Sequence, residues 1–117
     1  MTTLEGFPMA YNEQLAERVR KLLRRRKSFS EKKMFGGIFF LLNGNMCCGV
    51  TTNALMLRLG NEGAAEALKE PCTREMDFTG RTMKSMVYLD PEGYEFDEDL
   101  KEWVQRAADF AKTLPAK

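Results

Sequence analysis

The sequence predicts an α+β domain in two layers, an antiparallel sheet with its helices on one face. Three observations carry that expectation. Amphipathic stretches with helical spacing stand at both ends of the chain. Short apolar or strictly alternating runs lie between them. Those runs are joined by turns as short as Asn43-Gly44, which allow only antiparallel neighbours. The expected element order is α-β-β-β-α-β-β-α.

The first helix is expected to start at Asn12, whose side chain suits an N-cap. Leu15, Val19, Leu22 and Leu23 then fall on one stripe, with Glu13 and Glu17 early and Lys21, Arg24, Arg25, Arg26 and Lys27 late. That order of charge complements the helix dipole. Residues 31–42 read as one long strand, bent at Gly36-Gly37 because paired glycines favour a bulge or kink. Asn43-Gly44 closes a hairpin into a second strand over 45–51, and Thr52-Asn53 turns the chain again. A third strand over 54–59 alternates, with Leu55, Leu57 and Leu59 facing one way and Met56 and Arg58 the other.

Gly60 ends that strand and Asn61 is expected to cap a short helix with Ala64, Ala65, Ala67 and Leu68 on its apolar face. A short edge strand over 74–78, a turn at Thr79-Gly80 and a strand over 82–89 follow. Asp90-Pro91-Glu92-Gly93 places Pro and Gly where a β-turn takes them. The last helix begins near Asp97 and buries Leu100, Trp103, Val104, Ala107, Ala111 and Leu114.

A length of 117 residues suits one domain, expected over 9–117 behind a loose arm over 1–8. Eighteen basic side chains face seventeen acidic ones, so the chain as a whole is not drawn to nucleic acid or to an anionic membrane. There is no histidine, which excludes Ser-His-Asp and Cys-His catalysis in its usual form and any histidine-ligated metal. Three cysteines are an odd number, which fits a reducing compartment and a cytoplasmic protein. The longest apolar run, Ile38 to Leu42, is too short to span a membrane, and the N-terminus does not read as a signal peptide. Neither a cofactor nor a metal is expected.

Several blocks together resemble one family. Met9-Ala10-Tyr11, the segment from Leu15 to Arg20, Lys32-Lys33-Met34-Phe35-Gly36-Gly37, the segment from Leu41 to Met46, Asp77-Phe78-Thr79-Gly80-Arg81 and the Trp103-Val104 helix are similar to the TfoX (Sxy) N-terminal domain family. The resemblance implies a two-layer, secretion-chaperone-like fold. It also implies kinship with bacterial regulators of competence for DNA uptake, whose full-length members carry a second, C-terminal domain. The sequence reads as a stand-alone member without that domain.

Five features are candidates for function. The basic run with Arg24, Arg25, Arg26, Lys32 and Lys33 reads either as a patch for nucleic acid or an acidic partner, or as a solvated helix end favoured by the dipole. The glycine pair Gly36-Gly37 lacks the spacing of a phosphate loop and reads as a structural bend. Cys47 and Cys48, adjacent on a strand, are expected to point to opposite faces and so not to share a metal. Asp77, Thr79 and Arg81 on a tight turn either lock one another or present a charged pair to a ligand. Phe39, Phe40, Leu41, Met56 and Met86 make the sheet apolar on both sides, and helices cover only one side. The uncovered residues are then expected to meet a second copy or another protein.

The leading expectation is a regulatory or protein-interaction module with no catalytic residues. One alternative is a nucleic-acid-binding regulator using the basic helix end. The other is a small-molecule binder or enzyme with a pocket near Gly36-Gly37 and Asp77–Arg81.

Overall fold

Asn12 starts the first helix as its chemistry predicts. In the computed structural model its backbone is extended and its Oδ1 accepts the Leu15 N–H at 3.0 Å, capping α1 (Glu13–Leu23). The structure describes residues 11–116 apart from Phe35, Asn53 and Thr79, and the backbone alone of Phe78 and Arg81. The arm expected over 1–8 lies outside the described residues. After α1 come β1 (Phe29–Met34), β2 (Gly37–Leu42), β3 (Asn45–Val50), β4 (Leu55–Arg58), α2 (Gly60–Ala67), β5 (Thr73–Phe78), β6 (Arg81–Leu89), α3 (Pro91–Tyr94) and α4 (Asp97–Lys112).

The expected long strand over 31–42 is a hairpin instead. β1 and β2 pair antiparallel from Phe29↔Leu42 to Met34↔Gly37, and Gly36 at φ +75° helps reverse the chain. The physical reason lies in composition. Ser30, Glu31, Lys32 and Lys33 offer nothing to bury and take the solvent edge, while the all-apolar β2 takes the covered position beside them. The element order is therefore α-β-β-β-β-α-β-β-α-α. Smaller corrections follow: Leu59 rather than Asn61 precedes α2, and the expected turn at 91–94 winds into the short α3, while α4 begins at Asp97 as expected.

All six strands are antiparallel, in the order β1-β2-β3-β4-β6-β5, with β1 and β5 at the edges. α4 crosses β2, β3 and β4, with α1 against α4 and α2 against β6. On this side Leu15, Val19, Leu23, Phe40, Leu55, Leu57, Val87, Leu100, Val104 and Ala107 form the main core. Each large apolar side chain fully buried there contributes about 1.5–3 kcal/mol relative to leaving it in water. Arg18 meets Asp97 and Arg26 meets Gln105, so α1 and α4 run parallel.

The opposite face carries a second cluster: Phe39, Met56, Met76 and Met86, with Met34, Met46, Met83 and Tyr88 packed against them. The expectation that this face needs a partner for cover is not met, because Phe39 is only 7% exposed and Met56 only 3% within the single chain. A Cβ on Gly49 would stand 2.6 Å from Phe39 Cδ1 and 2.9 Å from Met56 Cε. The glycine thus leaves room for the ring, and the flexible thioether chains close around it.

A bulge corrects the expectation for the cysteines. Phe40 pairs with Cys48 and Leu41 with Met46, so Cys47 is an extra residue in β3 with no partner on β2. Such an insertion breaks the alternation. Cys47 and Cys48 therefore both lie in the helix-side core, fully buried. The hydrogen bond that the Cys48 S–H makes with Cys47 and burial together push the Cys48 thiol well above its ordinary pKa.

Candidate interaction surfaces

The basic helix end is built by a change of direction. α1 stops after Leu23, Arg24 and Arg26 donate their backbone N–H to Arg20 and Leu23 carbonyls, and Ser28 at φ +59° turns the chain into β1. The Ser28 carbonyl then accepts from Asn43 N–H at 3.1 Å, which fixes this corner to the β2–β3 turn. Because α4 runs parallel to α1, its last turn brings Lys112 to the same end. Arg26, Lys27, Leu42, Asn43 and Lys112 line a cleft of about 300 Å³ there.

The charges at this end are weakly neutralised. Arg24 reaches Glu17 only at 3.9 Å, and Lys112 reaches Asp109 only at 3.9 Å. Arg26 donates to the neutral Gln105 amide oxygen at 2.9 Å. Arg25 and Lys27 are exposed, with no ion pair among the described residues. Arg20, by contrast, is consumed structurally. It bridges Glu17 and Glu31, and its guanidinium lies 5.9 Å from the centroid of Phe40, whose ring stacks on Phe29. The Glu31 and Glu17 hydrogen bonds raise the Arg20 pKa further, and Arg20 in turn lowers that of Glu17.

Lys32 and Lys33 do not join this end. They stand on edge strand β1, which runs away from it, and Lys33 Nζ sits 5.9 Å from the Tyr11 ring centroid near the start of α1. The sequence run that looked continuous is thus divided by the β1 direction.

The other expected sites are placed as follows. Asp77 is exposed and accepts from Thr82 Oγ1 at 3.1 Å, across the β5–β6 pair Asp77↔Thr82. Thr79 and the Arg81 side chain lie outside the described residues. The Gly36 turn and the Asp77 hairpin belong to opposite edges of the sheet. Phe40 faces the helices, whereas Phe39, Met56 and Met86 share the far face and Leu41 is half-buried. Among the described residues no group of His, Cys, Asp or Glu stands together as metal ligands do. No helix among them is long and apolar enough to cross a membrane.

The sequence reading undervalued one position. Arg18 Nη2 donates to the Tyr94 carbonyl at 2.7 Å, the Glu95 carbonyl at 3.2 Å and Asp97 Oδ1 at 3.0 Å. Its guanidinium holds the two carbonyls before Phe96 and the Asp97 carboxylate after it, and Phe96 stands 62% exposed at the head of α4. The signal in the sequence is an aromatic residue inside an acidic run from Asp90 to Asp99.

An open six-stranded antiparallel sheet with helices layered on one side defines a small two-layer α+β domain. The family model of the TfoX N-terminal domain matches residues 21–111 of the 117, and the chain belongs to that family. No curated protein matches the chain. No solved structure matches it.

Proposed function

We propose that this protein is a regulatory interaction module that binds an acidic protein surface through the basic end of its parallel helices. Family membership supports a regulatory role at the coarse level. The observation that carries the finer reading is the convergence of Arg26, Lys27 and Lys112 around one cleft, next to Arg24 and Arg25 in the chain, with no carboxylate among the described residues closer than 3.9 Å to any of the five. Incompletely paired cations at one end of a near-neutral molecule attract and orient an anionic partner. An acidic protein is favoured over a duplex because Lys32 and Lys33 are withheld from the patch, which leaves a compact cluster rather than a stripe along a backbone.

Poly-L-glutamate is the probe. Fluorescence anisotropy should show binding that weakens from about 20 to 200 mM salt. The double variant Arg25→Glu, Lys27→Glu should lose it, and Lys32→Glu, Lys33→Glu should keep it. Tighter binding to a random DNA duplex than to poly-glutamate would transfer the site to nucleic acid. Binding to neither polymer removes the reading.

A further inference from the structure

We infer that the acidic, Phe96-bearing end of one copy docks into the basic cleft of a second copy, head to tail. The inference rests on the reading of that cleft as a site for acidic protein, and names its occupant.

The two ends are complementary in charge. Residues 90–99 carry six carboxylates and no base, and residues 21–27 carry five bases and no acid. Phe96 lies among Glu95, Asp97, Glu98 and Asp99, and is the more exposed of the two large apolar side chains that stand open among the described residues. Arg18 holds the two backbone carbonyls before it and the Asp97 carboxylate after it, and the Phe96 carbonyl accepts from Leu100 N–H at 3.0 Å. The ring is therefore presented already ordered, which lowers the entropic cost of docking.

The receiving cleft, about 300 Å³, is lined by Leu42 and Asn43 together with Arg26, Lys27 and Lys112. An aromatic ring entering it meets cations, and its flanking carboxylates meet the same cations. A chain cannot satisfy its own cleft. α4 has 16 residues, which places Phe96 about 24 Å from the Lys112 end. The contact is heterologous, so it propagates from copy to copy rather than closing as a two-fold dimer.

Sedimentation equilibrium tests this with two variants that each keep one working end. Phe96→Ser removes the ring from an exposed site, and K27E/K112E reverses the rim. At about 20 mM salt the native chain should gain mass with concentration beyond two chains, and about 500 mM salt should reverse that gain. Each variant alone should stay monomeric, with an unchanged Tm as the check on folding. An equimolar mixture of the two should form 1:1 pairs and stop there, because only one complementary contact survives. A native chain that stays monomeric at low salt overturns the inference, as does association that survives Phe96→Ser or a mixture that stays monomeric. A monomeric chain that still binds poly-glutamate rejects the second copy as occupant and keeps the acidic-partner reading.

Discussion

Gly49 sits where β3 passes beneath the Phe39 ring, and no other side chain fits there. An added methyl at 2.6 Å from Cδ1 and 2.8 Å from Cε1 forces the ring, Met56 or the strand to shift. Gly49→Ala is expected to lower stability by about 1–3 kcal/mol, the cost of overpacking a filled core. A urea titration followed by circular dichroism measures it, and an unchanged midpoint would show the ring free to move. The same residue explains why the far face stays closed without a partner, a property that the strand pattern around it did not reveal. Phe39 was legible as apolar and as facing away from Phe40, but its shelter depends on a residue with no side chain on the neighbouring strand.

At the scale of the element, the β3 bulge decides the chemistry of the thiols. Cys47 and Cys48 share the helix-side core, and only Cys72 is partly open. A maleimide reagent at neutral pH is expected to label one thiol quickly and the other two only on unfolding. The raised Cys48 pKa also has a sign for stability. The folded state holds that proton more tightly than the unfolded chain does, so its contribution is complete below the unfolded thiol value of about 8.5 and fades as pH rises through the folded value. Tyr94, raised chiefly by burial, acts in the same direction at higher pH. Tm is therefore expected to fall from about pH 8.5 upward, and Cys48→Ala to flatten the first part of the fall. A profile level to pH 10 would contradict the buried pair. The adjacent cysteines were visible in sequence, but strict alternation sends such a pair to opposite faces, and only the mismatched register between β2 and β3 puts them on one.

Across the whole molecule, two features follow from arrangement. The sheet has a protected middle and dissimilar edges: β3 and β4 are paired on both sides and lie under α4, while β1 is exposed along Ser30 to Lys33. Amide exchange is expected to be slowest at Cys48, Val50 and Leu57, and faster along β1. Similar protection across all strands would argue for an edge covered in solution. The second feature is polarity. α1 and α4 each carry acids early and bases late, and their parallel packing adds the two gradients into one molecular axis.

The sequence by itself determined the class, the three longer helices, the charge order of the first and last, the Asn43-Gly44 hairpin and the family kinship, because spacing, caps and turn chemistry act over a few residues. It also separated Leu55 and Leu57 from Met56. Tertiary structure decided that residues 29–42 form two strands, that both buried cysteines face the helices, that Lys33 leaves the basic end and that Lys112 joins it. These depend on strand register and helix direction, which are set by contacts between residues far apart in the chain, and local pattern carries no record of them.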